Sequence, residues 1–360
     1  MTHAAPVSPV DRAGLRQRVD KALTEFLAGQ RVRLAAVDES LVPVAEAIEA
    51  FVLRGGKRLR PAFAYWGFRG AGGVDGDQVL TALAALEFVQ ASALIHDDLM
   101  DRSDTRRGEP AMHRRFAARH REAGWRGDPD DFGDASALLL GDLCLVWSDE
   151  LLHSAGLDLW SLARARPVFD EMRTEVTVGQ YLDVLTQATG DTSVERASKV
   201  ARYKSAKYTV ERPLLLGAAL ADATADVRTA YSAYGLPLGE AFQLRDDVLG
   251  VFGDPALTGK PAGDDLREGK RTYLVAAAVE TTDEAGRELL LSRLGDPELD
   301  EQGVARLREL ITASGALART EQRIVTLTDA ALAALTAADL ETEARQALVD
   351  LAIAATRRAD

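Results

Sequence analysis

Little in this chain can be cross-linked, threaded through a membrane or laid on nucleic acid. Its 360 residues include a single cysteine, Cys144, so no disulfide can form within the chain and a reducing compartment is expected. Cys144 lies in the apolar stretch 138–147 and reads as an inert core thiol. No apolar run reaches the roughly 18 residues a membrane span needs, and residues 1–10 lack the apolar core of a signal peptide. The expectation is a soluble, cytoplasmic protein and not an integral membrane one. Acidic residues outnumber basic ones by 56 to 43, and the formal charge of -13 has no basic stripe to offset it, so a nucleic-acid surface is excluded. Aromatics make up 6%, β-branched residues seldom fall into short alternating runs, and no Pro/Gly/Ser linker divides the chain. Ala, Leu, Glu and Arg dominate instead, which predicts an all-α, single-domain protein over residues 1–360.

Punctuation places the helices. Residues 11–54 read as one or two amphipathic helices, including an N-terminal helical segment within 1–40, broken near Val42-Pro43 and ended by Gly55-Gly56. Pro61 suits a helix start, and that helix runs to about Arg69. Residues 70–76 are a loop, 77–102 a long apolar helix, and 103–112, with Gly108 and Pro110, a connection. A second loop is expected over 120–135. Helical patterns follow at 136–155, 159–188, 193–221 and 226–252. The polar Gly/Pro segment 254–270 is too long for an idle turn and reads as an active-site flap.

Two acidic pairs interrupt the apolar helices: Asp97-Asp98-Leu99-Met100-Asp101, and Asp246-Asp247 about 150 residues later. Asp97 and Asp101 are four apart, so both carboxylates leave one helix face about 6 Å apart along the axis. Hard oxygen ligands so placed suit a Mg²⁺ ion. Unpaired acids in an apolar helix are costly and repel one another, so a cationic guest is expected.

Basic residues stand beside these acids. Gly55-Gly56-Lys57-Arg58-Leu59-Arg60-Pro61 sets three cations next to a Gly pair at a helix start, where backbone N–H groups and guanidinium forks can take a diphosphate. Arg106-Arg107-Gly108 follows the first acidic group by a few residues. Tyr203-Lys204-Ser205 adds a cation on an apolar helix. Phe242-Gln243-Leu244-Arg245-Asp246-Asp247 is followed by Gly259-Lys260-Pro261 and by Glu268-Gly269-Lys270.

In this order the motifs GGKRLRP, HDDLMD followed by RRG, YKS, FQLRDD, and GKPAGDD with EGK resemble the trans-type isoprenyl diphosphate synthases, the polyprenyl synthetase family. The motif-bearing part spans about residues 50–275. The resemblance implies a helical bundle around a central active-site cavity, and Mg²⁺, three ions per site. Asp97 and Asp101, with Asp98 adjacent, would hold the ions that bridge to an allylic diphosphate. Asp246 and, more weakly, Asp247 would hold a further ion. Gly56, Lys57, Arg60, Gln90 and Arg107 would bind isopentenyl diphosphate, and Arg106, Lys204, Ser205, Gln243, Lys260 and Lys270 the allylic diphosphate. The chemistry implied is ionisation, condensation and elimination, with metal and cations stabilising the departing diphosphate. The family also implies a homodimer, with the helix at 77–102 or at 136–155 as interface.

The second motif departs from the family pattern, since Gly250 stands where a third Asp is usual; Asp254 is one substitute. Ser205 stands where Thr is usual. Short-product family members carry a bulky aromatic four or five residues before the first Asp, and here those positions are Ala93 and Ser92. A C20 product, geranylgeranyl diphosphate, is therefore expected, with Val89 and Leu86 one and two turns deeper as a partial floor. Longer products are an alternative. A class I terpene cyclase would need a second motif with Ser or Thr and then Glu at helical spacing; Asp246 is followed instead by Gly250 and Asp254, and the chain has no Asn. A non-catalytic partner subunit would not need the intact first motif.

Overall fold

The structure, a computed structural model, describes residues 9–254, 263–296 and 298–356. Ten helices form the first part of the chain: α1 (Leu15–Val37), α2 (Val42–Leu53), α3 (Leu59–Gly70), α4 (Asp77–Met100), α5 (Met112–Ala123), α6 (Pro129–Ser154), α7 (Leu159–Thr189), α8 (Val194–Val200), α9 (Arg212–Leu220) and α10 (Ala225–Phe252). A π-helical segment, Ala201–Glu211, joins α8 to α9. Further helices, from Asp264–Arg267 to Thr342–Thr356, follow. Strand is confined, among the described residues, to a two-residue hairpin, Thr105–Arg106 with Glu109–Pro110.

α4 is apolar on all sides, and such a helix is stable only when surrounded. By length and composition it is the one helix among the described residues able to cross a membrane, yet 72% of its apolar window is buried inside the protein. α6 lies along it, burying Cys144 and Trp147, and Trp147 meets Phe88 of α4 edge-on at 6.0 Å. Burial in this apolar setting pushes the Cys144 thiol well above its usual pKa, so it is inert as expected. The main core gathers α1, α3, α4, α6, α7, α9, the first half of α10 and the C-terminal helix Thr342–Thr356. A second, smaller core gathers Leu244, Val248 and Val251 of the last turns of α10 with Leu266, Leu274 and the helices after them. α10 thus belongs to both.

Two boundaries differ from the sequence-based expectation. The break between α1 and α2 falls at residues 38–41, because Asp38 accepts from the Ser40 N–H at 2.8 Å and caps a short 3₁₀ turn; Pro43 sits in the first turn of α2, where it is tolerated. The loop expected over 120–135 is much shorter. Asp128 accepts from the Asp130 N–H at 2.7 Å and Pro129 occupies the first helical position, so α6 begins there and the Gly/Asp-rich stretch becomes its first turn.

Candidate active site

The first acidic group forms the last turn of α4, and the chain after it folds back so that Arg106 meets it. That return is a two-residue hairpin turn with φ of +56° at Arg107 and +76° at Gly108, the pairing a tight turn of this twist requires. Arg106 Nε donates to both carboxylate oxygens of Asp98, at 2.9 and 3.1 Å, and its Nη2 adds a third contact to Asp98. Asp98 has no exposed surface. It therefore holds Arg106 in place, while Arg106 Nη2 lies 3.5 Å from Asp97 Oδ2.

Asp97 draws partners from two other helices. Lys204 Nζ donates to Asp97 Oδ1 at 2.9 Å and to Asp183 Oδ2 at 2.6 Å, and Gln180 Nε2 donates to Asp97 Oδ1 at 3.1 Å. Burial by itself raises the Asp97 pKa, but Lys204, Lys270 and Arg106 outweigh it and hold the carboxyl well below its usual range. Asp97 is an anion in a cationic cage. Asp101, at the same helix end, is raised to about 6 by burial and by the nearby Asp97 charge.

The π segment is what aims Lys204. Its wider turn is clamped by two glycines: a Cβ on Gly179 of α7 would lie 2.4 Å from Lys204 N, and one on Gly239 of α10 would lie 2.5 Å from the Ala206 carbonyl oxygen. Helix backbones in contact on both sides leave the segment little freedom, and wide turns of this kind recur at functional sites. The same segment supplies Tyr208 and Thr209 to a second cluster. Arg60 Nη2 donates to Thr209 Oγ1 at 2.8 Å, its guanidinium lies 4.1 Å from the Tyr208 ring centre, and the Tyr208 hydroxyl donates to Gln90 Oε1. Arg60 Nε is buried without a hydrogen-bond partner. Ser205 sits half-buried beside Lys204.

Three cations of the 55–61 motif behave differently. Arg58 is only 2% exposed and points into the protein, held by Asp20 at 2.8 Å, by Glu87 at 2.5 Å and by the Val52 carbonyl at 2.9 Å. It anchors the loop to α1 and α4. Lys57 is exposed, and Arg107 reaches the same loop from the hairpin, donating to the Arg54 carbonyl at 3.1 Å. Arg16 of α1 donates to the Gly56 carbonyl at 3.0 Å. Gly56 has no room for a side chain, since a Cβ would lie 3.0 Å from Glu87 Oε2 and closer still to Arg58.

The second acidic pair lies near the end of α10. Asp246 is half-buried; Asp247 is buried and accepts from Gln243 Nε2 at 2.7 Å. Burial, with Asp265 and Asp246 adding to it, raises the Asp247 pKa to about 8, so this carboxyl is largely protonated near neutrality. Lys270 ties the first acidic group to the segment after α10: its Nζ lies 3.2 Å from Asp101 Oδ2, 2.5 Å from Glu268 Oε2 and 3.8 Å from Asp265 Oδ1. Ser103 Oγ donates to Glu268 Oε1 at 2.7 Å, closing the link from the other side. Lys260 lies outside the described residues.

Many of the residues singled out from sequence lie in two adjoining clusters, one around Asp97, Asp101 and Lys270, the other around Arg60, Gln90 and Tyr208, while Gln243, Asp246 and Asp247 lie on α10, where Gln243 and Asp247 pair with each other. Gln180, Asp183, Tyr208 and Glu268 were not anticipated. Polar residues mid-helix in apolar surroundings, Gln180 and Asp183, are the signal that could have found them. A divalent ion fits the first cluster: Asp101 Oδ2 is buried and accepts no hydrogen bond, and Lys270 fills the position facing it as a stand-in cation. Among the described residues no three acidic, His or Cys side chains close on one point. An ion here would take one or two carboxylates and complete its shell from a phosphate, the usual manner of Mg²⁺. A cleft of about 440 Å³ lined by Phe68, Val79, Leu157 and Leu220 opens at the other end of α4, well away from this site.

Solved structures share this arrangement of helices. The geranylgeranyl pyrophosphate synthase of Corynebacterium glutamicum, solved with isoprenyl diphosphate and magnesium, superposes with a TM-score of 0.93 at 44% identity, covering 96% of this chain and 98% of that one. The fold is thus the all-helical fold of the isoprenyl diphosphate synthases. The family model for polyprenyl synthetase matches residues 42–311, and the chain belongs to that family. It is accordingly a prenyltransferase, of a family that depends on divalent metal and uses isoprenyl diphosphates. The geranylfarnesyl diphosphate synthase of Aeropyrum pernix is 34% identical over 75% of this chain and 79% of its own length. A farnesyl diphosphate synthase of Mycobacterium tuberculosis is 34% identical over 72% and 68%.

Proposed function

We propose that this enzyme condenses isopentenyl diphosphate with an allylic diphosphate to give all-trans geranylgeranyl diphosphate, with three Mg²⁺ ions per site. The observation that carries the reading is the cage around Asp97: one ionised carboxylate met by Lys204, Arg106 and Gln180 from three separate elements. Asp97, Asp101 and Asp246 would hold the metal, with Asp98 and Asp247 behind them. When bound, the ions neutralise the departing diphosphate and lower the barrier to breaking the allylic C–O bond.

The chain's own groups do the rest. Lys204, Arg106 and Lys270 are fixed near the carboxylates, so they face the charge that grows on the leaving diphosphate without reorganising. Lys260 and Gln243 belong to the same allylic subsite. Arg60, Gln90, Lys57 and Arg107 would seat isopentenyl diphosphate beside it, with Tyr208 holding Arg60 and Gln90 in register. Glu268 is engaged by Lys270 and Ser103, and the released diphosphate takes the proton lost in the last step. Burial of the cluster keeps water from quenching the cation.

Relatives range over farnesyl, geranylgeranyl and geranylfarnesyl products in their names. Product length therefore rests on α4, where Ser92 and Val89 are buried, Ala93 is half-buried and none of the three is aromatic. A cytoplasmic homodimer is part of the proposal. It is supported by α6, whose Leu138, Leu139 and Val146 are exposed large apolar side chains on one helix.

The test is incubation of the purified chain with isopentenyl diphosphate and each of the C5, C10 and C15 allylic primers, reading chain length by chromatography. A C20 prenyl diphosphate is expected from all three. Cyclic hydrocarbon in place of a prenyl diphosphate, or no condensation at all, would refute it.

A further inference from the structure

We infer that Asp265, reaching over from the segment after α10, supplies the carboxylate that the second acidic pair lacks at Gly250. This rests on the metal-diphosphate reading of the site. Gly250 lies one turn beyond Asp246 on the same face of α10. A Cβ built on Gly250 would stand 1.9 Å from Asp265 Oδ2 and 2.5 Å from its Cγ. No atom can occupy both places, so the volume that a side chain at 250 would enter is already filled by the Asp265 carboxylate. The glycine is required there by the acid it faces.

Asp265 is held in that position from both directions. Its carbonyl accepts from the Lys270 N–H at 3.0 Å, and the next residue, Leu266, is buried in the smaller core with its carbonyl accepting from the Gly295 N–H at 2.9 Å. Through Lys270 the carboxylate also faces the first acidic group: the ammonium lies 3.8 Å from Asp265 Oδ1 and 3.2 Å from Asp101 Oδ2, a buried oxygen that accepts no hydrogen bond. One cation's width separates the two carboxylates. Asp254, the substitute suggested by sequence, lies beyond the end of α10 after Gly253 and is exposed.

The experiment moves the carboxylate onto α10. Mn²⁺ binding in the presence of inorganic pyrophosphate is measured by electron paramagnetic resonance and calorimetry on the full chain and on Asp265→Asn, Asp265→Ala, Gly250→Asp and Gly250→Asp/Asp265→Ala, with circular dichroism as the folding control. Asp265→Asn keeps the shape and so remains folded. It should weaken Mn²⁺ about tenfold or more. Gly250→Asp alone should bind worse than wild type, since two acids compete for one space, and the double variant should return to within a few-fold of wild type. Asp265→Asn binding as wild type does, or a double variant no better than Asp265→Ala, would overturn the inference while the metal-diphosphate reading stands. Failure of the unaltered chain to bind Mn²⁺ with pyrophosphate would overturn both.

Discussion

Asp97-Asp98 and Asp246-Asp247 are the same pair of letters near the ends of two buried helices, yet their surroundings drive them apart. Asp97 has Lys204, Lys270 and Arg106 around it and is held ionised. Asp247, more deeply buried, has only uncharged donors, the Gln243 amide and the Tyr273 backbone N–H, and two acids nearby, and its pKa rises to about 8. Asp98 differs again, spent on gripping Arg106. The difference teaches that an acidic pair does not define its own charge. Cations brought from elsewhere in the chain do so, because a buried carboxylate is stable as an anion only where opposite charge repays its lost hydration.

The largest effect should come from breaking the first member of this comparison. Asp97→Ala is expected to lower turnover on the order of a thousandfold while far-UV circular dichroism is unchanged. Retention of a tenth of the wild-type rate would mean the cage around Asp97 is structural.

Asp247→Asn sharpens the contrast through stability. The folded Asp247 pKa of about 8 exceeds the ordinary 3.8. The stability tied to the neutral acid is therefore fully present below the unfolded pKa and is lost as pH rises toward the folded value, at roughly 1.4 kcal/mol per pH unit. Asn keeps the acceptor for Gln243 and cannot ionise. Thermal unfolding between pH 4 and 8 should thus show Asp247→Asn gaining on wild type as pH rises; parallel curves would place Asp247 among the ionised carboxylates instead.

The smallest change in rate, but a change in product, is expected from Ser92→Phe. Ser92 is buried on α4, five residues before Asp97. An aromatic ring there should shift product from C20 toward C15, with an overpacking cost of about 1–3 kcal/mol. A product profile identical to wild type would remove α4 from the control of chain length.

Much of this was legible without coordinates. Helix content, the two acidic groups, the cationic loop and most boundaries follow from period, caps and glycines, which act over a few residues. Spacing alone did not distinguish Arg58 from Arg60, because two apart says only that they face differently; it was the resemblance that named Arg60. Packing against Asp20 and Glu87 turned Arg58 inward and left Arg60 to Tyr208 and Thr209. Nor could the π segment be read from sequence, since it depends on Gly179 and Gly239 pressing on it from α7 and α10.

By itself the sequence determined that this protein is helical, carries paired acids and cations suited to a metal-bound diphosphate, and lacks an aromatic residue four or five positions before Asp97. Only the tertiary structure decided which acids are charged, which arginine is an anchor, and that Asp265 fills the space at Gly250. Local preferences act between neighbours along the chain, whereas charge state and close approach depend on groups such as Lys204 and Asp97, 107 residues apart and 2.9 Å from each other.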